Sequence, residues 1–282
     1  MQWDLSHLGG RLRFAINHMA APGLRYDAVL RLARTLGCVG VEFRNDLPGA
    51  LFDGDSPEQA RAVARKLGVD ILGLSEITAF NDMSAERMQN AQELIVTAKR
   101  LGARAIGLIP RNDGQRCDPG ARKADLRAAL RALSPHLRAA GIQGWIEPLG
   151  FDTASLRHKA EIVEAIAAIG GEDRFKLVHD TFHHALAQET EFFGPQTGIV
   201  HLSGVTDSAR PLAGLRDVDR GLVTAQDRLG TLAQIEALMG AGYGGAFAFE
   251  PFAPELARAA DPAPGLRRSF DYIENAVTVR AA

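Results

Sequence analysis

Along this chain a short apolar run repeatedly follows a segment with helical spacing, and a glycine marks the junction. Leu36-Gly37 precedes CVGVEF, Leu67-Gly68 precedes VDILGL, and Leu101-Gly102 precedes ARAIGLI. Ala140-Gly141 before IQGWIEP and Ala241-Gly242 before YGGAFAFEP repeat the phrase. Each glycine suits the position just past a helix, where the backbone turns left-handed and a Cβ is costly. The apolar run after it has the length of a buried strand. A repeat of roughly 30 to 40 residues also fits a solenoid. Here each unit joins a buried strand to a long amphipathic helix, which points to βα units in a parallel sheet.

Helix signals agree. Ser56-Pro57-Glu58-Gln59 combines an N-cap serine, a proline at the first helical position and a capping-box glutamine. From Ser84 to Leu101 one face carries Met88, Ala91, Ile95, Ala98 and Leu101, and the others carry Glu86, Arg87, Glu93 and Arg100. Pro135 is expected to kink a helix over 124–140. Strands are predicted at 12–16, 39–43, 70–74, 104–109, 142–147, 175–180, 199–203 and 245–250, with a last helix over 265–278. Eight strands alternating with eight helices predict an α/β fold, a (β/α)8 TIM barrel forming a single domain over 1–282. An open doubly wound sheet is the alternative, but no GxGxxG follows the first strand, and Gly242-Tyr243-Gly244-Gly245 precedes a strand.

Composition narrows the function classes. Hydrophobic residues make up 46% and charged residues 23% of 282, which is ample for a core. Cys38 and Cys117 form no CxxC pair, so no disulfide framework is expected. The Met1–Gly10 segment lacks a basic start and apolar stretch, and no window nears the roughly 18 apolar residues of a membrane span. A cytoplasmic location away from membranes is the expectation. The net charge of −2, with bases scattered among acids, gives no footprint for nucleic acid. A small molecule or a second copy of the chain remains as partner.

In a parallel barrel, chemistry sits at the C-terminal strand ends. Those ends read Asn17-His18, Glu42 to Asp46, Ser75-Glu76, Arg111-Asn112-Asp113, Glu147-Pro148, His179-Asp180, His201 and Glu250-Pro251. Glu147 and Glu250 each close an apolar run and precede a proline. A carboxylate at a dry rim is expensive unless paired or metal-bound; the competing reading is a salt bridge to an inserted arginine. With Asp180 and His201, the last four strands offer three carboxylates and an imidazole without thiolate. That set suits one divalent ion: Mn²⁺, Zn²⁺, Mg²⁺ or Co²⁺. Period-two alternation sends His179 outward as a packing residue, with His184 left to packing or surface. His183 opens a helix and can reach over the metal to substrate. His18, Glu42, Arg44, Asn45 and Asn112 are candidates to hydrogen-bond a polyol, while Glu42 with Arg44 also fits an ordinary ion pair. No GxSxG elbow or paired cysteine competes.

The chain resembles the xylose-isomerase-like barrels, the sugar isomerase and epimerase superfamily. IEP at the fifth strand, HDTFH at the sixth, VHLSG at the seventh, FEPF at the eighth and the early VEFRND carry the match almost end to end. The resemblance implies metal ligation by Glu147, Asp180, His201 and Glu250, with both glutamates shuttling a proton, and substrate contact by His183. IEPLGF, DVDRGLV, DRLG and FAFEPFAPE look like the inosose isomerase (2-keto-myo-inositol isomerase) branch of inositol catabolism, and carry over Arg220 as a substrate contact. Ketose 3-epimerases and hydroxypyruvate isomerases commonly show a glycine-rich loop after strand seven, and this chain departs from it. The abasic-site endonucleases of the superfamily use three zinc ions and further histidines; eight histidines and no basic patch argue against that activity. The implied reaction converts 2-keto-myo-inositol to 1-keto-D-chiro-inositol through an enediolate that a dication stabilises. A ketose 3-epimerase or hydroxypyruvate isomerase, an inosose dehydratase with His183 or Glu76 as acid, and an idle metal-stabilised barrel are the competing functions. The resemblance also raises a homodimer through exposed barrel helices, and a lid over 251–265 is a further expectation.

Overall fold

A computed structural model describes residues 12–281, so the Met1–Gly10 segment lies outside the described residues. Eight parallel strands close into a barrel in sequence order, β1 pairing with β8. They are β1 Phe14–Asn17, β2 Gly40–Arg44, β3 Asp70–Thr78, β4 Ala105–Ile109, β5 Gln143–Ile146, β6 Phe175–Asp180, β7 Thr197–Leu202 and β8 Phe247–Phe249. The helices are α1 Tyr26–Leu36, α2 Pro57–Leu67, α3 Ala85–Leu101, α4 Pro119–Ala140, α5 Lys159–Ala167, α6 Thr181–Leu186, α7 Thr231–Gly240, α8 Pro254–Ala257 and α9 Ala263–Ala281. No helix among the described residues is long and apolar enough to cross a membrane.

The local signals act as their chemistry dictates. Ser56 Oγ accepts from Gln59 N while Ser56 N donates to Gln59 Oε1, closing the predicted capping box of α2. Gly37, Gly68, Gly102 and Gly141 end α1 to α4 with φ of 75°, 66°, 78° and 72°. The helix α4 begins earlier than predicted, because Asp118 caps it and Pro119 occupies its first turn, and it runs on through Pro135. The strand β3 runs past its predicted end at 74, because Ile77 and Thr78 pair with Leu108 and Ile109 of β4 after a register shift.

Two apolar layers hold the barrel. Outside, Val29, Leu30, Ile95, Leu130, Leu137 and Ile273 belong to the buried core between helices and sheet. Each fully buried aliphatic side chain there contributes about 1.5–3 kcal/mol. Inside, Ala15, Leu72, Ala105, Trp145, Val178, Ile199 and Ala248 pack together in the lumen. This inner plug sets the site above it. Two residues further along the strand direction, on the same face, come Asn17, Glu147, Asp180, His201 and Glu250.

Candidate metal centre and active site

Glu147 and Glu250 lie one residue past their strands, yet each still donates its backbone N–H to a neighbouring strand, to Leu108 O at 3.1 Å and Leu202 O at 2.9 Å. These bonds keep the inward parity, and Pro148 and Pro251, without N–H groups, end the ladder there. Asp180 and His201 are register partners across β6 and β7. Asp180 also caps α6, its Oδ1 accepting from Phe182 N at 2.7 Å and His183 N at 2.9 Å. One ligating atom from each of Glu147, Asp180, His201 and Glu250 lies within 4.8 Å of the others, and all four residues are buried.

The set fits a cation. His201 Nδ1 is buried without a hydrogen-bond partner. It faces Glu250 Oε2 at 3.1 Å and Glu147 Oε2 at 3.5 Å. Three carboxylates converging where water is excluded need positive charge. Burial pushes the Glu147 carboxyl up to about 8 against the pull of His201. Burial acts on Glu250 too, but His201, Arg220 and Arg44 prevail and hold it below the carboxylate range. Burial disfavours a charged His201 ring, yet Glu250, Glu42 and Glu147 raise its pKa well above the ordinary value.

Two arginines enter from opposite sides. Arg44 Nη1 donates to Glu250 Oε1 and Arg220 Nη2 to Glu250 Oε2, both at 2.8 Å. Arg220 Nη2 also donates to Asp180 Oδ2. The loop bearing Arg220 folds back because Gly204 and Gly221 exchange backbone bonds of 2.9 and 2.7 Å. A Cβ on Gly204 would lie 2.7 Å from Leu222 O, so glycine is required at this approach. The Phe252 ring stands 4.5 Å from the Arg220 guanidinium and 5.6 Å from that of Arg44. The opening of the 251–265 segment therefore lies over the arginines, and Phe252 N and Ala253 N donate to Arg220 O.

Comparison with known proteins agrees with this architecture. The model of the xylose isomerase-like TIM barrel family matches residues 30–276. The chain belongs to that family. A xylose isomerase domain containing protein of Salmonella typhimurium LT2 is 33% identical with a TM-score of 0.85, over 96% of this chain and 97% of that one. An IOLI protein with a binding zinc atom is 19% identical with a TM-score of 0.82, over 95% and 99%. A D-psicose 3-epimerase with D-tagatose, from Clostridium cellulolyticum H10, is 16% identical with a TM-score of 0.67, over 95% and 99%. No curated protein matches the chain.

Within this family frame, the remaining predicted residues divide. His183 belongs to the site: Gly150 N donates to its Nδ1 at 3.2 Å, and its Nε2 lies 3.8 Å from Glu147 Oε1. The first of these bonds makes Nδ1 the acceptor and leaves the ring hydrogen on Nε2, toward Glu147. His18 instead points Nε2 at Leu24 O, 2.9 Å away, and packs against Phe43. Alternation puts Asn17, not His18, in the lumen. Asn45 is exposed and ties β2 to β3, accepting from Glu76 N and donating to Glu76 O. Asn112 is exposed on the β4–α4 loop, where Thr153 Oγ1 donates to its Oδ1 at 2.6 Å. A cavity of about 450 Å³ is lined in part by Asn45, Asp46, Glu76, Arg87, Asn90 and Glu93; Asp46 and Glu76 pair with Arg44, and none of the four clustered residues lines it.

The ion pair read for Glu42 and Arg44 does not form. Arg44 pairs with Asp46, Glu76 and Glu250, while Glu42 Oε2 lies 2.7 Å from His201 Nε2 across the lumen. Sequence reasoning named Asn17 and Ser75 at strand ends without a role and missed Phe252; for Asn17, the shared inward parity with Ala15 was the available signal. His179 packs outside the barrel as predicted, with Nε2 2.9 Å from Gln234 Oε1, and His184 is buried beside it.

Proposed function

We propose that this chain is a metal-dependent isomerase that interconverts inososes, 2-keto-myo-inositol to 1-keto-D-chiro-inositol, by moving a proton between adjacent carbons. The observation that carries this reading is a buried cluster in which two glutamates flank one imidazole, with Glu147 and Glu250 both within reach of His201 Nδ1. Glu147, Asp180, His201 and Glu250 are the residues that would hold the divalent ion. A dication held by these residues would supply Lewis acidity to a bound ketone. Proton transfer then belongs to the side chains. One glutamate takes the carbon-bound proton and the other returns one to the neighbouring carbon, their order following from which carbon faces each. His183 presents an N–H beside Glu147, suited to a substrate oxygen. Arg44 and Arg220 are already neutralised by carboxylates, so the site favours an uncharged polyol ketone over a phosphorylated sugar.

A second reading has one observation in its favour. Burial pushes Glu76 up to about 7, beside Arg44, which makes it an acid able to protonate a departing hydroxyl in an inosose dehydratase. Incubation of the metal-loaded protein with 2-keto-myo-inositol in D₂O separates the two. Solvent deuterium in an isomeric ketone is the expected result; loss of water to a diketone selects the lyase. Neither change would overturn both readings.

A further inference from the structure

Glu42 has no place in the proton path, yet the lumen is shaped around it. Its Oε2 accepts from Asn17 Nδ2 at 2.8 Å and meets His201 Nε2 at 2.7 Å, and its Oε1 accepts from Ser75 Oγ at 3.1 Å. Asn17 cannot turn its amide over without cost, because its Oδ1 already accepts from Met19 N at 3.0 Å. Space for the carboxylate comes from two glycines. A Cβ on Gly73 would lie 3.0 Å from Glu42 Oε1, and one on Gly107 would lie 2.4 Å from Ser75 Oγ. All of Glu42, Asn17, Ser75 and His201 are buried. A buried carboxylate is costly, and three donors aimed at it offset that cost.

We infer that Glu42 is a positioning residue for the metal centre, holding the His201 ring by a hydrogen on Nε2 so that Nδ1 faces Glu147, Asp180 and Glu250. The inference rests on reading those four residues as the metal site. Both Glu42 oxygens are placed as acceptors, Oε2 from Asn17 Nδ2 and Oε1 from Ser75 Oγ. His201 Nε2 must therefore be the donor in the shared bond. The other ring nitrogen, Nδ1, is thereby turned to the carboxylates, buried and without a hydrogen-bond partner, where a bound cation would take its lone pair. Ring orientation and tautomer are fixed together, from the strand opposite the ligands. Outer partners of this kind change metal affinity by about 10–100-fold when lost.

Chelator-stripped full-length protein is titrated with Co²⁺ and Zn²⁺ by calorimetry, comparing wild type, Glu42→Gln, Glu42→Leu, His201→Ala and the Glu42→Gln/His201→Ala double variant. Glu42→Gln keeps shape and a weaker acceptor, and should weaken binding about tenfold; Glu42→Leu should weaken it up to about 100-fold. In the His201→Ala background, Glu42→Gln should change affinity no further, because the ring it orients is gone. Unaltered affinity in Glu42→Gln, or an equal loss with and without His201, overturns the inference alone. A wild-type chain that binds neither ion overturns the metal-centre reading beneath it as well. Long-range ¹H–¹⁵N spectra of His201 give an independent readout: wild type should carry hydrogen on Nε2, and a hydrogen found only on Nδ1 would refute the tautomer.

Discussion

The two halves of the barrel use the same kinds of side chain differently. Each of β5 to β8 carries, at or beside its C-terminal end, one residue of the convergent cluster, Glu147, Asp180, His201 or Glu250. The first half places Asn17, Glu42, Arg44 and Ser75 around that cluster. It contributes hydrogen bonds and charge to Glu42, His201 and Glu250. From β4 comes only room, since Gly107 makes space for Ser75. Glu42 and Glu147 are both buried glutamates on inward positions. What separates them is the partner each meets across the lumen: Glu42 meets the protonated face of an imidazole and Glu147 its unpartnered nitrogen. An inward carboxylate does not by itself declare whether it binds or supports.

This contrast can be broken most forcefully at the proposed proton path. Glu250→Gln should lower solvent exchange into substrate by about 10²–10⁴-fold while circular dichroism still shows a folded barrel. Ser75→Ala, in the supporting half, should cost less than about tenfold. Equal losses in the two variants would erase the division between the halves.

The next largest effect falls on stability. Arg220 carries its buried charge against Asp180 and Glu250, so Arg220→Met should destabilise the metal-free protein by about 3–5 kcal/mol in urea titration. Arg100→Met, which breaks an exposed pair with Glu58, should leave the midpoint where it was.

A pH dependence sits on the outer side of the ligand-bearing half. Glu189 pairs with the buried Lys159 and with His184. Burial opposes the charge, but these partners hold the Glu189 carboxyl down to about 2. A depressed carboxyl pKa stabilises the fold above its unfolded value, and that stability is lost as pH falls. Stability should therefore decline by roughly 3 kcal/mol between about pH 4.5 and 2. Glu189→Gln should flatten that part of the profile; an unchanged acid limb in the variant would assign the decline elsewhere.

The smallest effect tests the first half's loop residues. Asn112→Ala should alter stability by less than about 0.5 kcal/mol and kcat/KM by no more than about twofold. A loss beyond tenfold in kcat/KM would restore Asn112 as a substrate contact that closes on binding.

How far the sequence reached depended on whether a feature was local. The glycine after each helix, the Ser56 capping box and the apolar runs report φ/ψ needs and burial, which neighbours along the chain decide. Strand order and the barrel follow from them. Strand ends were less legible: β3 runs to Thr78 because β4 offers a partner beyond Leu74, and pairing is not written in either strand alone. His18 lies one residue past the inward face, which falls on Asn17, and a one-residue step reverses a strand's facing.

The three clustered carboxylates were readable because each ends its own strand in a chemically pointed way, before a proline or capping a helix, and His201 because it sits near the end of the seventh apolar run. Their meeting within 4.8 Å follows once the barrel closes. Only the tertiary structure decided which partner each remaining polar residue takes. Glu42 and Arg44 are two apart on one strand and share a face, so sequence proximity favoured pairing them. Closure brings His201 to the first and Glu250 to the second at hydrogen-bond distance. The sequence determined the fold and the donor set because backbone preference and hydrophobic period are local. The partnering of charges depended on the lumen, where residues 159 and 206 positions apart in the chain become neighbours.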